Sequence, residues 1–317
     1  MDKLKISPIK NNKRSSSISL MDIGLVFGIP LTLLTAWCLP KVYWKSLANF
    51  LSPHFPWVLS QSQNELSQRI NRALGTKQLP LQPQSIAHQL ATCEIVRNFQ
   101  TMRDYRPGNW CPKIEVIGQE HIKMALSIGR GAIIWDSQFY FANLVTKMGL
   151  HRIGFKLHHL SHPEHGFSST TFGIRYLNPI RSTIENRYLA ERILINPNNP
   201  GKVLPVLKER LHENKLVSIS VSNRGNRTLQ MPFLNTSIQI APGAQKLAVE
   251  TGAALIPVFT TSSDNVNFQV IVEPPLTVPE PTNISESITI LTQQYIKRLA
   301  PKVLENPGEW LGWMHIR

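Results

Sequence analysis

From residue 112 to the C-terminus, short apolar runs alternate with stretches of helical period, and this alternation restricts the fold more than any other feature of the chain. Strands are expected at Ile114–Ile117, Gly131–Trp135, Arg152–His158, Leu216–Val221, Leu255–Thr260 and Phe268–Val272. Helices are expected at Glu120–Ser127, Phe141–Met148, Ser168–Tyr176, Val203–His212, Gly243–Thr251 and Glu286–Leu304. A sheet fed by helices at this spacing buries both of its faces, so the fold class is α/β: a mixed sheet flanked by helices. Upstream, Leu66, Ile70 and Leu74 form one apolar stripe, and Ile86, Leu90, Ile95 and Phe99 form a second. The Pro-rich stretch between them predicts a helix pair packed beside the main domain. The chain then divides into a basic, Ser-rich disordered tail (1–20), a membrane anchor (21–57), accessory helices (58–111) and the α/β domain (112–317).

Thirty-four basic residues stand against 20 acidic ones, a formal net charge of +14. The basic residues are scattered rather than interleaved with aromatics, and no nucleic-acid motif is present. An anionic membrane surface is therefore the expected partner, and nucleic acid is not. Cys38, Cys93 and Cys111 have no metal-ligand spacing and are odd in number, which points to a reducing compartment and to no bound metal or disulfide framework.

Lys3, Lys5, Lys10, Lys13 and Arg14 precede Ile23–Leu39, an apolar run without charge that contains Pro30. The run is short for a bilayer span, which takes about 20 residues. It lacks a small-x-small cleavage site, and Trp37 before Cys38 argues against lipoprotein processing. Tyr43, Trp44 and Trp57 follow, where amphipathic rings favour the headgroup layer. The run reads as an anchor, spanning or interfacial, with the main domain in the cytoplasm.

Four later blocks carry candidate chemistry. Residues 113–143 read as strand, helix closed by Gly129-Arg130-Gly131, buried strand, then the polar turn Asp136-Ser137-Gln138 leading to a helix that opens near Asn143. Asp136 either faces the same side as Gln138 or caps that helix. The segment His158-His159-Leu-Ser-His162-Pro-Glu164-His165 spaces His159 and Glu164 five residues apart; it reads as an acid/base site, a metal site or a solvated loop. Arg224, Gly225 and Arg227 follow a strand, where arginines in a Gly-containing loop suit phosphate or sulfate; the alternative is a solvated loop. Pro242-Gly243 opens a helix that Gly252 closes before Pro257-Val258.

These blocks resemble the late lipid A acyltransferases, the lauroyl/myristoyl branch of the lysophospholipid acyltransferase-like superfamily. Cys38-Leu-Pro-Lys-Val-Tyr-Trp44 resembles the family's anchor end. Gly243-Ala244 through Thr251-Gly252-Ala and Pro257-Val258 resemble its most specific helix–strand passage, and Pro307, Trp310, His315 and Arg317 resemble its closing signature. The likeness covers most of residues 35–317. It implies a fatty acyl thioester donor, acyl carrier protein or acyl-coenzyme A, a lipid acceptor, no cofactor, and a place on the cytoplasmic face of the bacterial inner membrane.

In the family the first block carries His-x-x-x-x-Asp/Glu, with His as general base. The matching positions here are Gln138 and Asn143, amides that take up no proton at neutral pH. Ser222-Asn223 stands where the family has an acidic turn. By the resemblance, Arg224, Gly225, Arg227 and Gly243 lie on the substrate side. An enzyme on this frame needs a substitute base, Asp136 or a histidine of the 158–165 segment such as His159 with Glu164, or an acceptor amine already deprotonated, and Gln138 is left as a hydrogen-bond donor. A non-catalytic acyl-chain or lipid-binding relative is the second reading, and a membrane-bound scaffold the third.

Overall fold

The computed structural model describes residues 16–54, 62–75, 81–105, 110–223, 227–264, 266–278 and 283–316. Trp57, Arg224 and Gly225 lie outside them.

Seven strands form one sheet: β1 (Lys113–Ile117), β2 (Ala132–Asp136), β3 (Leu157–Ser161), β4 (Glu191–Leu194), β5 (Leu216–Ser220), β8 (Ala254–Ser262) and β9 (Asn267–Val272). Their spatial order is β1-β9-β8-β2-β5-β3-β4. Strands β8, β2, β5, β3 and β4 run parallel, β9 is antiparallel to β8, and β1 is parallel to β9. The fold is therefore a mixed, mostly parallel α/β sheet. β2 lies at its centre, and all five of its residues are buried, as a parallel strand covered on both faces requires. A separate antiparallel hairpin joins β6 (Leu229–Phe233) to β7 (Thr236–Ile240).

The main-domain helices are α5 (Gln119–Ser127), α6 (Ala142–Arg152), α7 (Asn178–Asn186), α8 (Val203–His212), α9 (Gly243–Thr251) and α10 (Ile284–Glu305). Two expectations shift. Helix α6 continues through Arg152, so that residue opens no strand. The Phe155 N–H closes the helix on the Leu150 carbonyl, Gly154 turns the chain at φ 92°, and β3 begins only at Leu157. The helix expected at Ser168–Tyr176 instead becomes a π-helical turn, Gly173–Leu177, running into α7. Pro179 is tolerated because it falls in the first turn of α7, where its missing N–H costs nothing.

Upstream lie α1 (Leu20–Cys38), a 3₁₀ turn at Lys41–Tyr43, α2 (Trp44–Leu51), α3 (Gln63–Leu74) and α4 (Pro83–Arg103). Helix α1 runs through Pro30 and starts with a capping box between Ser19 and Asp22. Helices α1, α2 and α3 all pack on α4. At the C-terminus Trp310 and Trp313 are buried edge to face, and Trp310 lies against Phe233. This seats the tail on the core.

Gly118, between β1 and α5, has φ 81°, and a Cβ there would sit 2.1 Å from the Val272 carbonyl oxygen. Backbone on β9 cannot yield as a flexible side chain can. Gly118→Ala is expected to cost about 2–4 kcal/mol through the left-handed φ and the clash together. A urea midpoint measured by circular dichroism checks this, and an unchanged midpoint would show that the β1–α5 turn relaxes freely.

Candidate active site

Strand β2 ends at Asp136, and the chain leaves the sheet between β8 and β5. The Ser137 N–H donates to the Val258 carbonyl, and the Val221 N–H donates to the Asp136 carbonyl. Gln138 ties this exit to β5: its Nε2 donates to the Val221 carbonyl at 2.6 Å. The C-terminal tail holds the turn from the other side. Leu311 N–H donates to the Gln138 carbonyl, Tyr140 N–H donates to the Glu309 carbonyl, and Phe139 pairs with Trp310. The turn is thus braced by three elements before α6 begins. In open α/β sheets ligands bind outside the carboxyl ends of the strands, which is where this turn lies.

Asn143, in the first turn of α6, lines a small cleft with Arg97, Gln100, Phe141, Arg181 and Glu185. Gln138 is absent from the cleft's lining, so the two amides of the turn have different surroundings. Ser137 Oγ and Tyr140 OH are buried and lack a hydrogen-bond partner among the described residues. Buried hydroxyls normally find partners, so these two stand out beside the turn.

Behind the turn lies a buried ionic network. Asp136 accepts from the Thr146 hydroxyl at 3.2 Å, and Thr146 meets Thr260 at 2.7 Å. Burial raises the Asp136 pKa to about 7, against the pull of Lys147 and of the Thr146 hydroxyl. Lys147, on α6, reaches Glu185, on α7, at 2.6 Å with both side chains almost wholly buried. Glu185 also receives Arg192 at 3.0 Å and His165 at 2.8 Å. Burial alone would raise the Glu185 pKa, but His165, Lys147 and Arg192 together hold it well below the ordinary value. Burial lowers the Lys147 pKa, opposed by Glu185. Arg97 pairs with Glu94 at 2.5 Å and lies over the Tyr140 ring. Arg181 donates to Asn98 and to the Gly166 carbonyl, and burial together with Arg97 brings its pKa down to about 10.

The histidines divide. His158 turns to Glu191, at 2.8 Å, which also takes Arg210. His159 is buried on β3, its Nδ1 3.2 Å from Ser218 Oγ, and burial holds its pKa well below the ordinary histidine value. Glu164 is exposed and lies 3.8 Å from His162, not against His159. His165 contacts Glu185, which lines the Asn143 cleft. The Glu185 charge favours imidazolium, but burial, Lys147 and Arg181 outweigh it and keep the His165 pKa below its usual value. His165 is therefore neutral at pH 7 and able to accept a proton. No group of three His, Cys, Asp or Glu side chains suited to a metal ion occurs among the described residues.

Arg227 is exposed just ahead of β6. Gly243 opens α9 on the surface, with free space where a Cβ would stand. Lys147, Glu185, Arg97 and Arg181 carry no motif that marks them in the sequence. The one local signal was a lysine inside the otherwise apolar passage Leu144-Val-Thr-Lys147-Met-Gly-Leu150.

A test of the Asp136 environment follows from linkage. Its folded pKa lies above its unfolded value of 3.8, so the folded state binds the extra proton and stability falls as pH rises from about 4 to about 7. Asp136→Asn removes this slope. The melting temperature of the variant relative to the parent is expected to rise between pH 5 and pH 8, and a flat difference would place Asp136 in contact with water.

The phosphatidylinositol mannoside acyltransferase of Mycolicibacterium smegmatis is 26% identical over 213 residues, 64% of this chain and 62% of that protein. The protein of the same description from Mycobacterium tuberculosis is 31% identical over 107 residues, about a third of each chain. The matched region thus spans less than two thirds of either relative's length. The braced turn at the end of β2 and the sheet behind it stand within residues 13–317, which match the bacterial lipid A biosynthesis acyltransferases as a whole, and the chain belongs to that family.

Proposed function

We propose that the protein moves a fatty acyl group from a thioester of acyl carrier protein or coenzyme A to a hydroxyl of a membrane lipid or similar amphiphile, at the cytoplasmic face of the inner membrane. The observation that carries this reading is the His165–Glu185 pair beside the Asn143 cleft, in a chain of this family. Glu185 accepts from His165 Nε2, which fixes the tautomer and leaves Nδ1 with its lone pair. That is the base-and-orienter logic of acyl transfer, supplied by α7 and the loop after β3 instead of the turn after β2. His165 Nδ1 takes the acceptor's hydroxyl proton as its oxygen attacks the thioester carbonyl. The C–S bond then breaks, and the proton passes to the departing thiolate. The hydroxyls of Ser137 and Tyr140, without partners among the described residues, are the donors this reading assigns to the developing oxyanion, whereas Gln138 Nε2 is engaged with the Val221 carbonyl. Asp136, buried behind Thr146, positions α6.

Acting on phosphatidylinositol mannosides is a property in the mycobacterial relatives' descriptions. For this chain we carry over a glycolipid or phospholipid acceptor.

Purified protein given lauroyl-, myristoyl- and palmitoyl-coenzyme A with extracted bacterial lipids is expected to release free thiol and to form an acylated lipid. The acid limb of kcat is expected to fall with a midpoint below 6.5, since the base must be neutral and its pKa is lowered. A midpoint near 7 would assign the base to Asp136. Thiol release absent with every donor, together with a co-purifying acyl lipid, would support the non-catalytic reading. Gln138→His with Asn143→Asp would then be the change that creates activity.

A further inference from the structure

Helix α1 is apolar on two opposite faces, and both of its ends are fastened to the domain. Asp22, Leu25, Ile29, Leu33 and Ala36 fall within an arc of roughly 80° at 100° per residue. Asp22 and Ala36 on that arc are fully buried, and Ile29 and Leu33 pack on the core. Leu20, Ile23, Phe27, Leu31 and Leu34 fall within an opposite arc of roughly 80° and are all exposed, Leu20 at 88% and Phe27 at 74%.

The fastening is specific. At the N-terminal end the Thr170 hydroxyl donates to Asp22 at 2.8 Å, the Thr171 N–H donates to the Ser16 carbonyl, and the Phe172 N–H donates to the Ser17 carbonyl. Gly173 makes room at this junction: a Cβ there would stand 2.2 Å from Ser168 Cβ and 3.2 Å from Asp22 Oδ1. At the C-terminal end Trp37 Nε1 donates to the Met102 carbonyl, and Arg103 donates to the carbonyls of Ala36 and Trp37. Residues 22 and 37 are about 22 Å apart along the axis. A bilayer-spanning α1 would carry α4 across with it, and Glu94, Arg97 and Gln100 of α4 would sit at the depth of hydrocarbon about 30 Å thick.

We infer that α1 does not cross the membrane but lies in its plane as a strap, its inner face on α4 and the 170–173 segment and its outer stripe in the acyl-chain boundary of an anionic lipid surface. Val42 and Tyr43, in the 3₁₀ turn just beyond α1, are also exposed. Charge selects the lipid: through residue 54 the chain has Lys3, Lys5, Lys10, Lys13, Arg14, Lys41 and Lys45 against Asp2 and the buried Asp22. A basic, apolar surface of this kind takes up anionic headgroups and acyl chains together. The inference deepens the membrane location in the proposed function and does not depend on catalysis.

Orientation is tested in sealed vesicles carrying the full-length chain. Cys38 is exposed at the end of α1 and is read in a Cys111→Ser background, while Ser17→Cys is read with Cys38 and Cys111 replaced by serine. A membrane-impermeant maleimide is expected to label positions 17 and 38 from the same side. Labelling from opposite sides would overturn the strap and establish a span. Binding is tested with purified protein and phosphatidylcholine vesicles with or without 30% phosphatidylglycerol. Phe27→Glu with Leu31→Glu is expected to weaken binding at least tenfold with unchanged thermal unfolding, and added salt is expected to weaken the parent's preference for phosphatidylglycerol. Unchanged vesicle binding by this variant overturns the inference. So does loss of a dimer in sedimentation while vesicle binding persists, since the stripe then serves a second copy.

Discussion

His165→Ala is expected to lower kcat by about 100- to 10,000-fold, the range that a positioned general base contributes. Tautomer and charge both equip His165 for this role. Glu185 receives the Nε2 proton, and burial with the nearby cations keeps the ring neutral at pH 7, so Nδ1 is free to act. A base works on the chemical step, so KM for the thioester is expected to change little. His165→Gln retains a polar side chain and holds the loop, yet accepts no proton; it is expected to be as slow as the alanine variant. A merely structural histidine would show the reverse pattern, with Gln near the parent and the pH profile unmoved. His159→Gln serves as the comparison, because His159 is buried against Ser218 on β3 and has no carboxylate partner in the cleft. If His159→Gln abolishes turnover and His165→Gln does not, the base has been misplaced by one strand end.

The sequence made the sheet legible where strands are buried on both faces. Ala132–Trp135, Leu216-Val217 with Ile219, and Ala254–Phe259 are short, mainly apolar runs, and no competing helical period obscures them. Strand β4 was hidden because Glu191 and Arg192 lie at the sheet edge and read as loop. The β6–β7 hairpin was hidden by its turn. Leu234 takes φ 53°, where Asn or Gly ordinarily announces such a turn, and Pro232 demotes the strand before it. At the site, the turn Asp136–Asn143 was legible as a local pattern. The Lys147–Glu185–His165 cluster was not, because its members are far apart in the chain and meet only when α7 packs beside α6.

That packing underlies the second large effect. Glu185→Leu is expected to destabilise the fold by about 3–5 kcal/mol, because it leaves the Lys147 ammonium buried without its carboxylate and takes the same partner from the half-buried Arg192 and His165. Lys147→Met is expected to cost less, since Glu185 keeps two other partners and methionine fills the stem's volume. The double variant should cost clearly less than the sum of the two, because no isolated charge of the pair remains. The pH sign is set by the Glu185 pKa, which lies well below 4.5 in the fold. Its stabilisation is fully present above that unfolded value and is lost as pH falls through the folded value. The gap in urea midpoints between parent and Glu185→Leu should therefore hold from pH 5 to 8 and narrow under pH 4.5. Lys147→Met also separates folding from chemistry. It weakens the α6–α7 contact but leaves the Glu185–His165 hydrogen bond in place, so stability should drop while kcat, measured well under the melting temperature, stays within a few fold of the parent. Should Lys147→Met slow turnover as severely as His165→Ala, the lysine belongs to the catalytic apparatus and the division of labour argued for Glu185 is wrong.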